Sequence, residues 1–156
     1  MQIISHGVAE TLSIGRRIAK NLKAADIVCL FGQLGAGKTV LTKGIALGLG
    51  IKKNAIVSPS FVLIREYDQV KPPLYHFDLY RLKKPQDLLS LGYEEYLYDD
   101  AVSVIEWADR LKFLLPKEFL KIDLSIKTES QRLLRLEAFG RRYRELLKNI
   151  DENNRY

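Results

Sequence analysis

The sequence predicts an α/β fold: a single domain on a central, mostly parallel sheet, with antiparallel hairpins added to it and helices on both faces. Three observations predict it. A glycine-rich octapeptide, Gly32-Gln33-Leu34-Gly35-Ala36-Gly37-Lys38-Thr39, joins the apolar run Ile27-Val28-Cys29-Leu30-Phe31 to a segment of helical periodicity. A second apolar run, Ala101-Val102-Ser103-Val104-Ile105, has the length and composition of a buried strand. Two further pairs of segments alternate around turns, as hairpins do.

Each element follows from local pattern. Val8, Leu12, Gly15, Ile18, Ala19 and Leu22 recur at three- and four-residue intervals and predict an amphipathic helix packed on the sheet. After the glycine-rich segment, Leu41, Ile45, Ala46 and Leu49 keep helical spacing until Gly48 and Gly50 end the helix. Residues 61–67 read as a strand, 68–73 as a turn and 74–79 as the returning partner. Residues 85–91 predict a short helix closed by Gly92, and 93–98 an aromatic connector. The strand at 101–105 ends at Glu106, and 108–115 is expected to be helical up to Pro116. Leu120, Ile122, Leu124 and Ile126, then Leu134, Leu136 and Ala138, alternate with polar residues around a turn at 127–130 and predict the second hairpin. A terminal helix follows Gly140 and is expected to fray after Ile150.

Composition limits the possibilities. The chain has 156 residues, 47% of them hydrophobic, which is room for one core and not for two domains. Its one cysteine, Cys29, lies in a predicted buried strand, so a disulfide framework is excluded and a reducing compartment is expected. No apolar stretch approaches the roughly 20 residues of a membrane span, and Met1-Gln2-Ile3-Ile4-Ser5-His6 has no signal-like pattern, so a cytoplasmic location is expected. Net charge is +6, and six basic residues between Arg132 and Lys148 face only Glu137 and Glu145, a local excess of +4. Such a cluster suits nucleic acid or an acidic protein surface, or is a solvated helical face.

The octapeptide matches G-x-x-x-x-G-K-[ST], the phosphate-binding loop. Its glycines let main-chain N–H groups converge on phosphate oxygens, Lys38 can reach the β- and γ-phosphates, and the Thr39 hydroxyl can hold Mg²⁺. The dipole of the following helix adds positive potential there. The domain is therefore expected to be P-loop NTPase-like over 1–139, with 140–156 a basic C-terminal helix or tail packed on it or extending from it. Hydrolysis also needs carboxylates. Glu106, at the C-terminal end of a buried strand, stands where a Walker-B-like acid belongs. Asp78 shares a strand face with His76 in Leu74-Tyr75-His76-Phe77-Asp78-Leu79, and pairing with Arg81 or Arg110 is the alternative role for it. His76 reads as a structural histidine, and Trp107, the sole tryptophan, as an aromatic that packs near a base or at the core edge.

Together, Gly32 to Thr39, Ser58-Pro59-Ser60-Phe61, His76-Phe77-Asp78-Leu79-Tyr80-Arg81 and Glu106-Trp107 resemble the TsaE (YjeE) family, from about Glu10 to Leu136. The resemblance implies an ATPase of threonylcarbamoyladenosine biosynthesis, acting with TsaB and TsaD to modify adenosine beside the anticodon of tRNAs that decode A-starting codons. It implies that ATP is hydrolysed to ADP with Mg²⁺, that Lys38, Asp78 and Glu106 are catalytic, and that Thr39, Asp78 and Glu106 serve the metal. The nucleotide contacts it implies are Glu10, Thr11, Gly32, Gln33, Gly35, Ala36, Gly37, Lys38, Thr39, Val40 and Trp107, with Ser58 to Phe61 a switch-like segment near the γ-phosphate. Gln33 and Ser60 depart from the family's usual acid and threonine; Gln33 removes a charge at the loop mouth and Ser60 keeps a hydroxyl.

Two other functions compete with this one. A small-molecule kinase would need a lid, for which 81–84 is the only candidate. An ATP-switched nucleic-acid module would draw on the basic tail, through which tRNA could also be met in the assembly.

Overall fold

The strands are β1 (Gln2–Ser5), β2 (Ile27–Phe31), β3 (Ile64–Tyr67), β4 (Leu74–Asp78), β5 (Val102–Glu106), β6 (Phe119–Ile126) and β7 (Arg132–Phe139). In the computed structural model, which describes residues 1–57 and 63–153, they form one sheet in the order β1-β7-β6-β2-β5-β4-β3. The four central strands β6, β2, β5 and β4 are parallel, while β3, β7 and β1 add antiparallel pairs at the two sides. This is the mostly parallel sheet with hairpin additions that the sequence predicts. The segment Ser58 to Phe61 lies outside the described residues.

Strand β2 explains why both faces are covered. Its residues alternate between two cores, Val28 and Leu30 entering one, Ile27 and Cys29 the other. The first core is closed by α1 (Val8–Ala19), α2 (Lys38–Gly48) and α5 (Arg141–Asn153), which contribute Ile14, Ile18, Leu41, Ile45, Leu146 and Ile150. The second is closed by α3 (Gln86–Leu89), α4 (Tyr93–Leu97) and 3₁₀ turns at Ala108–Leu114, through Leu88, Tyr93, Leu97 and Leu111. Each such aliphatic side chain, taken fully from water, contributes about 1.5–3 kcal/mol.

Helices α1 and α2 approach until their backbones touch. A Cβ placed on Gly44 would stand 2.5 Å from the Leu12 carbonyl oxygen and 3.0 Å from Gly15 Cα. Glycine is required here by space, and the contact sets the height of α2, whose first residues are Lys38 and Thr39.

Helix α5 is tied to the start of the middle strand β2. Arg142 grips the Asp26 carboxylate with both arms, Nε to Oδ1 at 2.9 Å and Nη2 to Oδ2 at 2.6 Å, and Nη2 also donates to the Asn21 carbonyl at 2.8 Å. The Tyr143 hydroxyl accepts the Ile27 N–H at 2.8 Å. The basic cluster between Arg132 and Lys148 is thus partly structural: Arg142 is spent on Asp26, Arg141 pairs with Glu145, and Arg132 serves turn carbonyls. Arg135, Arg144 and Lys148 remain at the surface.

The structure departs from the sequence reading at several elements; α3 covers only Gln86–Leu89 of the expected 85–91, and α5 stays helical through Asn153, past the Ile150 where fraying is expected. Strand β1, unpredicted, pairs antiparallel with β7. Helix α1 stops at Ala19, and Asn21 and Leu22 continue as tight turns, bonded to Ile18 and Ala19 three residues back. The expected connector at 93–98 contains α4, started by Gly92 in the left-handed conformation. The expected helix at 108–115 is a pair of 3₁₀ turns broken at Lys112, whose φ of 49° and ψ of −115° no helix admits.

Candidate functional site

The site lies where β2, β5 and β4 end. Register puts Glu106 beside Leu30 on one side and beside Asp78 on the other, so both acids reach the edge of the sheet from which the glycine loop leaves β2. The loop curls because Gly32, Gly35 and Gly37 take φ of 140°, 80° and 104°, closed to other residues without strain. At Gly32 a Cβ would also meet the Leu124 carbonyl oxygen at 2.4 Å.

Two side chains of the loop's end have defined partners. Lys38 Nζ donates to the Gly32 and Gln33 carbonyls at 2.5 and 3.0 Å and sits 3.8 Å from the centre of the Trp107 ring. Burial pushes its ammonium below the ordinary lysine pKa, partly offset by the nearby acids Glu106, Asp109 and Asp78. The Thr39 hydroxyl donates to Glu106 Oε2 at 3.0 Å. With its one proton committed, Thr39 has lone pairs left to offer a cation.

Glu106 is 1% exposed, and its second oxygen, Oε1, is 2.8 Å from His76 Nε2. A carboxylate only accepts, so the imidazole carries its proton on Nε2. Asp78 is half-buried; burial raises its carboxyl above the usual range, while the Tyr80 N–H donating to Oδ1 at 3.1 Å opposes that. Arg110, the alternative partner considered for Asp78, instead donates to the Leu82 carbonyl at 3.1 Å.

Trp107 has φ 58° and ψ 43°, a left-handed conformation unusual for a bulky residue. This turn out of β5 sets the indole against Lys38 and 5.0 Å from the Tyr80 ring, at the lysine end of the loop. A cleft of about 300 Å³ is bounded by the loop, Asp78, Tyr80, Glu106 and Trp107.

A second cleft, also about 300 Å³, lies on the other side of the loop between Gly7, Val8, Thr11, Val40 and Arg132. Thr11 is buried there and bonded to Ser5 Oγ at 2.7 Å. Glu10, named with Thr11 from the sequence, does not line either cleft; its carboxylate accepts from the His6 N–H and is 2.9 Å from His6 Nδ1. Arg132 was not among the predicted site residues, yet its Nη2 donates to the Gly35 carbonyl at 3.3 Å and joins the β6–β7 turn to the loop. Its place within the basic cluster was the only sequence signal, and that pointed to charge rather than to this contact.

Among the described residues no group of three His, Cys, Asp or Glu side chains forms a metal cage. Magnesium does not need one, since it is commonly held by one or two carboxylates and substrate phosphates. Thr39 and Glu106, with Asp78 alongside, are an oxygen donor set suited to that ion. Among the described residues no helix is long and apolar enough to cross a membrane.

A parallel-centred sheet whose middle strand runs through G-x-x-x-x-G-K-T into a helix defines a P-loop NTPase-like fold. Comparison with known proteins narrows the class. The model of the family described as threonylcarbamoyl adenosine biosynthesis protein TsaE matches residues 5–134. The chain is 37% identical over 145 residues to the Bacillus subtilis tRNA threonylcarbamoyladenosine biosynthesis protein TsaE, covering 93% of this chain and 90% of that one. It is 39% identical to the Nostoc protein of the same name, over 83% of this chain and 81% of that one. The crystal structure of YdiB from Bacillus subtilis superposes with a TM-score of 0.86 at 35% identity, covering 99% of this chain and 95% of that one. This chain belongs to the TsaE family.

Proposed function

We propose that this protein is an ATPase of tRNA modification: it binds ATP with Mg²⁺, hydrolyses it to ADP, and by doing so drives the cycle of an assembly that forms threonylcarbamoyladenosine beside the anticodon. Its proposed partners are TsaB and TsaD, and its proposed location is the cytoplasm. The observation that carries the reading is the convergence of Lys38, Thr39, Asp78 and Glu106 on one cleft at the mouth of the glycine loop.

In this reading Lys38 gives up the Gly32 and Gln33 carbonyls for phosphate oxygens, which are stronger acceptors for an ammonium. Thr39, Glu106 and Asp78 are the residues that would hold Mg²⁺, which supplies charge neutralisation on the phosphates. Asp78 and Glu106, neighbours on adjacent strands, are the two acids that can hold and orient water. The cleft of Val8, Thr11, Val40 and Arg132 is the side of the loop left for the base, and Trp107 supports the lysine. The tail's contribution to tRNA contact is assigned to Arg144 and Lys148, because Arg142 already serves the fold.

The test is ATP hydrolysis with and without TsaB and TsaD, for the parent, Lys38→Ala and Asp78→Ala. Turnover is expected for the parent and not for either variant. Parent-like hydrolysis by Lys38→Ala in the presence of both partners would overturn the proposal. A phosphorylated metabolite in place of free phosphate would replace it with the kinase reading.

A further inference from the structure

We propose that His76 is a positioning residue that holds the Glu106 carboxylate from the side opposite Thr39, so that a single orientation of that carboxylate faces the cleft. The inference rests on reading the cleft as the ATP and Mg²⁺ site.

The sequence alone reads His76 as structural, and its burial, 3% exposed, suits that role. Its contact suggests more. The imidazole lies in β4, and β4 pairs with β5 so that His76 is level with Val104 and Asp78 with Glu106. From that register the His76 side chain spans one step diagonally to place Nε2 2.8 Å from Glu106 Oε1. Glu106 Oε2 is taken by the Thr39 hydroxyl at 3.0 Å. Each carboxylate oxygen therefore has its own donor, one from the sheet and one from the loop's helix. Fixed on two sides, the group has one rotamer.

Without the imidazole, Oε1 would be a buried carboxylate oxygen lacking that donor, an unfavourable state that drives the side chain to turn. Turning removes the direction a dication requires. His76 itself is not among the residues lining the cleft, so it acts through Glu106 and not on a ligand. Removing a residue that orients a metal-binding side chain typically lowers metal affinity about 10–100-fold.

Two amides separate positioning from packing. In His76→Gln the amide nitrogen falls near the position of Nε2 and can reach Glu106. In His76→Asn it stops about one bond length or more short. Both are uncharged and polar, so reach is the main difference between them. Calorimetric titration of the full chain with ATP, in excess Mg²⁺ and again in EDTA, gives the gain in affinity due to the ion for each variant.

The parent is expected to bind ATP more tightly with Mg²⁺. His76→Asn should lose about tenfold or more of that gain while keeping the parent's affinity in EDTA, and His76→Gln should retain the gain. Equal Mg²⁺ gains for parent and Asn variant would overturn the role, leaving the histidine a packing group. So would equal losses in Mg²⁺ and EDTA, or loss by both amides alike. An Asn variant that does not fold, beside a Gln variant without the gain, would also overturn it. A parent that binds no ATP under either condition would instead overturn the nucleotide reading itself.

Discussion

Replacing Gly44 with alanine sets two effects of opposite sign against each other. Helix propensity favours alanine over glycine inside a helix by about 1 kcal/mol, and Gly44 is in the interior of α2. The new Cβ, however, would stand 2.5 Å from the Leu12 carbonyl oxygen and 3.0 Å from Leu12 Cα and Gly15 Cα. Carbon–oxygen contacts settle at about 3.3 Å or more, so α1 and α2 must separate by about 0.8 Å. Both sides of the contact are main chain, and no rotamer change relieves it. Overpacking of this kind costs about 1–3 kcal/mol, with the upper value appropriate to backbone against backbone. The net is a loss of about 2 kcal/mol, which for a chain of this size lowers the melting temperature by about 4–8 °C. Thermal unfolding followed by circular dichroism measures it, with Lys43→Ala, at an exposed neighbour on the same helix, as the control expected within about 0.5 kcal/mol of the parent. A Gly44→Ala melting temperature at or above the parent's would refute the reasoning, because propensity would then have won and the helix contact would not be tight.

Three other perturbations follow from the geometry. Arg142→Ala leaves the Asp26 carboxylate, 2% exposed, without its bidentate partner; allowing for the 23% exposure of the arginine side chain, urea unfolding should show a loss of about 2–3 kcal/mol. Asp78→Asn should stabilise the protein at neutral pH while ending the proposed hydrolysis. Burial raises the Asp78 carboxyl in the folded state, so between the ordinary aspartate value of about 3.9 and the raised one the folded chain holds the extra proton. Stability therefore falls as pH rises through that window, and the variant's gain in melting temperature should be present at about pH 7 and absent at about pH 3. Trp107, the sole tryptophan, is stacked by Lys38, so ATP that draws the ammonium away should change its fluorescence, and Lys38→Ala should change the emission before any nucleotide is added.

The parts of the fold that could be read from sequence are those whose signal is local. The loop with its flanking strand and helix is specified by eight consecutive residues, and the β6–β7 hairpin by strict alternation on either side of a turn. Strand β1 could not be read, since four residues with two isoleucines mean little until β7, about 130 positions later, provides an edge to pair with. Helix α4, five residues beginning on a left-handed glycine, is too short for periodicity to register. The break at Lys112 is tertiary in origin, for nothing in Ala-Asp-Arg-Leu-Lys-Phe-Leu forbids an α-helix. At the site, Lys38, Thr39, Asp78 and Glu106 were identifiable as residue types at strand and loop ends. The His76–Glu106 bond was not, because it depends on the register of two strands separated by 30 positions. The same limit applies to Arg132, whose contact with Gly35 joins the two ends of a 97-residue interval.

The strand order governs when the proposed phosphate grip can exist during synthesis. β2 is made early, yet its two neighbours, β5 and β6, end at residues 106 and 126. A nascent chain that has already exposed Lys38 and Thr39 therefore has no sheet on which to hold them. Only after Ile126 has left the ribosome can the middle strand be flanked along its length on both sides, and assembly dominated by such distant pairings is slow. A half-made molecule should accordingly be unable to sequester nucleotide, so that competence appears late and in one step with the closing of the sheet.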